Sequence, residues 1–337
     1  MNASLPPALG AVATLAVLVF TAQATTDESF RRTLTVAPGG TLTVEVDFGA
    51  IEVTGTAEDE VILEVSRRVR GKSVAAEKAF LADRPIVVEQ DGAQVTIRAR
   101  RSAKTSWGWG GGMKETTGRY LLRIPAKFDV HLNTAGGHLQ VANLTGSVRA
   151  GTSGGGLKFV RISGPIQGHT SGGGISLTAC QGTLQLVTSG GGIDVTGGGG
   201  TFQAHTSGGG ILVKNFDGPA KVETSGGDLN LENIGGELKG ETSGGSVHAT
   251  LPQLIPGPVR LETSGGGVTV DVPAAAGFDL DAATSGGDCT SERPLTRQTS
   301  NLKQSNTLRG AMGDGGPTVT LRSSGGSIRV RSRAATR

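Results

Sequence analysis

One short phrase returns at a fixed interval, and it limits the fold more than any other feature of the chain. It reads T-A-G-G at Thr134, then T-S-G-G at Thr152, Thr170, Thr188, Thr206, Thr224 and Thr242, with successive threonines 18 residues apart. It recurs at Thr263 and Thr284, each 21 residues on, and ends as S-S-G-G at Ser323. A fixed period of this size signals a repeat architecture. Counting the threonine as position 1, position 6 is apolar in Leu139, Leu157, Ile175, Ile193, Ile211, Leu229, Val247 and Val268, and position 8 in Val141, Phe159, Leu177, Val195, Val213 and Leu231. That is the period of a strand with one buried face. Glycine holds position 13 in Gly146, Gly164, Gly182, Gly200, Gly218 and Gly236, and a second short strand follows, with Val148, Ile166, Leu184, Leu186, Phe202 and Val222 as its inward candidates. Two brief strands separated by glycine turns describe one coil of a β-solenoid. A helix is excluded, because no unit offers a 3.6-residue period and each glycine would cost about 1 kcal/mol.

Stacked coils place like residue on like residue about 4.8 Å apart. The core then consists of ladders of Ile, Leu and Val and needs few rings, which reconciles 4% aromatic residues and 56 glycines with a folded chain. The turn glycines, among them Gly164, Gly182, Gly200 and Gly218, are expected at φ > 0. The recurrent threonines, Thr152, Thr170, Thr188 and Thr206 foremost, are expected to turn inward with their hydroxyls on the backbone.

The ends of the chain read differently. Residues 1–24 have the pattern of a secretion signal, an apolar run from Ala8 to Phe20 leading to Ala22-Gln23-Ala24, although the first residues carry no Lys or Arg. Residues 25–133 form an irregular β region that caps the solenoid, with a helix expected around Ala75–Leu81. Residues 134–330 are the regular solenoid, interrupted by a long polar surface loop at 285–322, and 331–337 form a basic tail. Cys180 and Cys289 fall six coils apart in chain order, roughly 29 Å at the ladder spacing, too far for a disulfide. Both read as small buried hydrophobes.

The net charge of +3 is carried by dispersed residues, with small clusters at Arg67, Arg68, Arg70 and Lys72 and at Arg329, Arg331 and Arg333. Solvated strand faces account for them, and no nucleic-acid footprint follows. The G-G-G runs lack the strand–glycine–helix context or the G-K-[S/T] ending of a phosphate loop. The calcium β-roll wants an aspartate that this chain offers at position 7 only as Asp194. His169 and His205 share position 18 with Val187 between them, too far apart for one metal ion. No cofactor is implied.

Two features stand as candidate sites. Trp107, Trp109 and Met113 lie in a glycine-rich insertion flanked by Lys104 and Lys114, suited to a membrane interface or a partner surface. Glu223, Glu241 and Glu262 line up as an acidic stripe, with Lys221, Lys239 and Arg260 two positions earlier; this reads either as a catalytic pair or as an ion-pair ladder. Gln167, Gln185 and Gln203 at position 16 read as an amide ladder that supports stacking.

The phrase T-S-G-G-[GDS]-[ILV]-x-[VL], the stretch from Asp47 to Gly55 (D-F-G-A-I-E-V-T-G) and Leu122-Arg123-Ile124-Pro125 together resemble the bacterial "putative adhesin" β-strand-repeat family, a domain of unknown function. The resemblance covers roughly residues 30–330. It implies an exported or cell-envelope β-solenoid with no established catalytic residues. The sequence therefore leads to a non-catalytic adhesion or scaffold module in the periplasm or at the cell surface. Its expected partners are envelope polysaccharide or a surface protein, with peripheral membrane contact through the Trp loop and self-association as further expectations. The alternatives are a carbohydrate-active β-helix enzyme using the acidic stripe, or a self-assembling filament.

Overall fold

The computed structural model describes residues 25–101, 113–298 and 305–333. The chain is a β-solenoid in which each coil contributes one strand to each of two parallel columns. In the first column Val148–Thr152 lies between Asp129–Thr134 and Ile166–Thr170, with Thr152 level with Thr134 and Thr170. In the second, Leu157–Ser163 lies between Leu139–Thr145 and Ile175–Thr188. Alternation does the sorting, since Val148 and Ala150 of the first column and Leu157 and Phe159 of the second all point inward and are buried. The two inner faces meet, as at Gly168, whose open side looks onto Leu157 and Phe159. Each fully buried Ile, Leu or Val contributes about 1.5–3 kcal/mol, so stability accumulates coil by coil.

Chain order and stacking order agree in the middle and part company at both ends. Thr41–Val46 is flanked by Gln94–Ala99 on one side and Asp129–Thr134 on the other, and Ala50–Thr56 likewise by Glu115–Pro125 and Leu139–Thr145. The first coil of the chain is thus the second level of the stack. The other end mirrors it. Thr318–Ser323 sits between Val259–Thr263 and Phe278–Thr284, and Ile328–Arg333 between Val268–Pro273 and Cys289–Ser291. Each outermost coil is then covered by antiparallel strands. Val87–Asp91 closes the first column, and Glu60–Arg70 followed by Thr26–Thr35 closes the second. Thr307–Met312 and the two-residue strand Arg297–Gln298 close the far end of the first column. The stretch 285–322 is therefore no plain loop; it carries the strands Cys289–Ser291, Arg297–Gln298 and Thr307–Met312 and the start of the inserted coil. The helix Val74–Ala82, N-capped by Ser73, packs at the opposite end.

This order also moves the cysteines. Cys180 belongs to the level of Ile175, and Ile193, Ile211, Leu229, Val247, Val268, Ile328 and Cys289 follow in turn, one level further than chain order implies. Both thiols are free; Cys180 is buried but Cys289 is only half-buried, because its own level is the last described in its column. Burial pushes both thiols up, Cys289 to about 11.

The phrase itself is a tie between coils. Thr206 is buried; its hydroxyl donates to Gly191 O at 2.8 Å and accepts from the Gly209 N–H at 3.3 Å. Thr152, Thr170 and Thr188 repeat the pattern on Gly137, Gly155 and Gly173. Where the stacking order departs from the chain, the tie follows the stack: Ser323 donates to Gly266 O and Thr284 to Gly326 O. The glycines of the phrase do not take φ > 0. They are glycine because a Cβ on Gly191 would stand 2.2 Å from Gly173 O. Positive φ belongs to the opposite turn, at Gly164 (146°), Gly182 (130°), Gly200 (109°) and Gly218 (139°).

Position 10 is left-handed as well, in Asn143, Arg161, Ala179, Gly197, Asn215 and Asn233. This residue drops out of the ladder, so that Val160 pairs with Ala142 and Ile162 with Leu144 while Arg161 is skipped. It is a bulge that turns the corner of the coil. Ala179, at φ 52°, is the one position here with neither glycine's freedom nor a polar side chain to bond locally. Ala179→Gly is expected to raise stability by about 1 kcal/mol by removing the left-handed penalty. The urea unfolding midpoint checks this, and a fall in that midpoint would show the bulge is not strained.

Candidate functional site

The outer face of the first column carries two side-chain rows along the solenoid axis. Strand register sets them: His131, Arg149, Gln167, Gln185, Gln203, Lys221, Lys239 and Arg260 form one, and Asn133, Gly151, His169, Val187, His205, Glu223, Glu241 and Glu262 the other. The face divides in two by charge.

From Lys221 onward it is an ion-pair ladder. Lys221 Nζ lies 2.9 Å from Glu223, Lys239 Nζ 2.8 Å from Glu241, and Arg260 2.7 Å from Glu262, each pair within one strand. His205 Nδ1 stands 3.9 Å from Glu223, and Arg322 of the inserted coil follows Glu262 in the row. The Lys221 ammonium bonded to Glu223 holds that carboxyl below its usual range. A glycosidase acid needs the opposite shift. Glu223, Glu241 and Glu262 are level on neighbouring strands, but each is already neutralised by the basic residue of its own strand.

From His131 to Gln203 the face is mostly uncharged. Among the described residues the side chains of Gln167, Gln185, Gln203, Asn133, His131 and His169 have no hydrogen-bond partner within the chain. The expected glutamine ladder is therefore not formed. Side-chain ladders occur on the bulge turn instead, where Asn233 Nδ2 donates to Asn215 Oδ1 at 3.0 Å and Arg161 Nε to Asn143 Oδ1 at 2.8 Å. The bulge residues stack in line from coil to coil, whereas the glutamines stand out from a flat sheet. Gly151 and Val187 are low points in the second row, and with Arg149, Gln167, His169 and Gln185 they line an open groove of about 530 Å³. It offers amide, imidazole and guanidinium groups to a ligand laid along the axis. The sequence signal was present as the absence of charge at positions 16 and 18 over successive coils.

Other candidates separate. Trp107 and Trp109 lie outside the described residues. Met113 is half buried and packs over Gly71, away from the first-column face. Arg67, read as part of a solvated basic cluster, is fully buried. Its Nε donates to Glu28 Oε2 at 2.6 Å and a terminal nitrogen to Arg84 O at 2.6 Å, tying the terminal strand and the helix to the stack end. Desolvation beside it pushes the buried Tyr120 hydroxyl up to about 12. No group of three or more His, Cys, Asp or Glu residues suited to a metal ion occurs among the described residues. No helix among them is long and apolar enough to cross a membrane.

The family model described as Toastrack DUF4097 matches residues 42–331. Similar solved structures include a "putative lipid binding protein" from Parabacteroides distasonis ATCC 8503, at 10% identity and TM-score 0.37, covering 90% of this chain and 96% of that one. A "putative adhesin" from the same organism matches at 11% identity and TM-score 0.32, covering 91% and 97%. A "putative cell adhesion protein" from Clostridium sporogenes ATCC 15579 matches at 10% identity and TM-score 0.22, covering 91% and 100%. No curated protein matches the chain.

Proposed function

The chain belongs to the Toastrack DUF4097 family, and from that premise we propose that it is an exported, cell-envelope β-solenoid acting as a non-catalytic adhesion or scaffold module. Its ligand in this reading is an extended envelope polysaccharide, held along the uncharged part of the first-column face. One observation carries the reading: a row of amide and imidazole side chains whose hydrogen-bonding capacity is unspent, repeating at the strand spacing on a flat surface. A glycan chain presents hydroxyl and amide groups at regular intervals, so many weak contacts in register can add up without a deep pocket. Export is supported by the signal-like pattern of residues 1–24.

The test is the triple variant Gln167→Ala/His169→Ala/Gln185→Ala, assayed by co-sedimentation with purified, insoluble envelope polysaccharide. Three lost hydrogen bonds at about 0.5–1.5 kcal/mol each predict binding weaker by at least about 10-fold. The double variant Lys239→Gln/Glu241→Gln, which removes an ion pair from the other half of the face, is expected to bind as before. Undiminished binding by the triple variant would remove the proposed face.

A further inference from the structure

We propose that the outer edge of the strand Thr26–Thr35 pairs antiparallel with the same strand of a second copy, joining two solenoids end to end through their N-terminal caps. The two ends of the stack are finished differently. At the C-terminal end the outermost strand of the same column among the described residues, Cys289–Ser291, has only three residues, too short to template a partner. At the N-terminal end the outermost strand has 10 residues, free of proline, and among the described residues it pairs on one side only, with Glu60–Arg70. Proteins commonly blunt such an edge with short strands, proline or bulges. Among the described residues the core is also incompletely covered there: Phe30, Ile86 and Val88 pack against it while only partly buried.

The edge strand is complementary to itself. It reads T-D-E-S-F-R-R-T-L-T, with its carboxylates before the centre and its guanidiniums after it. A two-fold axis normal to the sheet keeps each face on its own side, so even-numbered residues oppose even-numbered ones. With the axis at Phe30, the two Phe30 rings oppose each other beside the incompletely covered core, and Glu28 faces Arg32 of the second copy, twice. Phenylalanine across from phenylalanine and opposite charges across from each other are both stabilising cross-strand pairs. Glu28 has an oxygen to spare. Both Arg67 contacts use Oε2, and Oε1 has no partner among the described residues. Among the described residues Arg32 has only a 3.4 Å hydrogen bond to Val88 O. An axis at Ser29 would instead set the Glu28 carboxylate against Phe30, which is the poorer match.

Sedimentation velocity of the purified protein between about 1 and 100 μM is expected to show a dimer that dissociates on dilution. Arg32→Glu sets like charges opposite each other twice and is expected to raise the dimer dissociation constant by more than about 10-fold. Arg32→Lys is expected to stay near the wild type, and Arg31→Glu, on the outer face, is expected to leave the dimer intact. Mild oxidation is expected to cross-link Phe30→Cys into disulfide dimers, because directly opposed Cα atoms lie about 5 Å apart, but neither Ser29→Cys, whose copies stand beyond about 7 Å, nor the wild type, whose Cys180 is buried and whose Cys289 lies at the far end of the stack. A monomer over the whole range with no cross-link at Phe30→Cys overturns the proposal. So does preferential cross-linking of Ser29→Cys, or a dimer weakened by Arg31→Glu and not by Arg32→Glu.

Discussion

Gly191→Ala is expected to disrupt the middle of the solenoid, while Gly190→Ala, one residue away, is expected to be almost silent. A Cβ on Gly191 would lie 2.2 Å from Gly173 O and 2.4 Å from Gly173 C, both backbone atoms of the coil beneath. That coil is itself fixed by the Thr188 hydroxyl bond to Gly173 O at 2.8 Å, so it can yield only by opening the tie. On Gly190 the nearest atom to a new Cβ is 3.4 Å away, ordinary contact. Neither residue has a positive φ, so the two substitutions differ in space and not in backbone freedom. Overpacking against the backbone of the coil beneath places Gly191→Ala at about 3 kcal/mol or more. In a stack held by nearest-neighbour contacts this loss is local. Hydrogen exchange at Leu177, Leu186 and Val195 is expected to accelerate by roughly 100-fold while the terminal coils keep their protection. Equal effects from the two alanines would show that the phrase keeps its glycines for another reason.

Removing the chain from Thr318 onward is expected to unstack the strands Phe278–Thr284, Cys289–Ser291 and Thr307–Met312 and not merely shorten the rod. In a solenoid stacked in chain order the last coil is a cap, and its loss leaves the preceding coil in place. Here the last coil is an inner level. Without it Phe278–Thr284 loses Thr318–Ser323, Cys289–Ser291 loses Ile328–Arg333, and Thr284 loses its 2.6 Å acceptor at Gly326. Val319, Leu321, Ile328 and Val330 all leave the core, a loss of about 6 kcal/mol or more at 1.5–3 kcal/mol each. Hydrogen exchange of the truncated protein is expected to show protection lost from Phe278–Thr284 and Thr307–Met312 and retained at Leu157, Leu177 and Val213. Undiminished protection of Leu280 and Ala282 would mean that the coil can restack directly on Val259–Thr263.

The candidate site was legible in part. The register of Glu223, Glu241 and Glu262 and the basic residue two positions before each were visible in the sequence, because strand alternation fixes which side chains share a face. Their meaning depended on an electrostatic balance that only distances decide: each glutamate is neutralised within its own strand. The glutamines at 167, 185 and 203 show the converse. Equal spacing in sequence implied contact, but register brings side chains level without obliging them to bond, and these three are left facing solvent.

The amino-acid sequence by itself determined the coil. A period of 18 residues, apolar positions alternating twice per period and glycines at two turns admit only short parallel strands stacked in register, and the inward threonines follow from the same alternation. Only the tertiary structure decided the order of the coils at the two ends, the burial of Arg67, and whether each glycine serves an approach or a dihedral. The physical reason is that periodicity records what a coil requires of its own residues. It does not record which coil lies above or below, because every level offers nearly the same ladder of backbone groups. The choice is made by the long-range closure of the stack, where antiparallel strands cover the ends and an inserted coil keeps both of its edges paired.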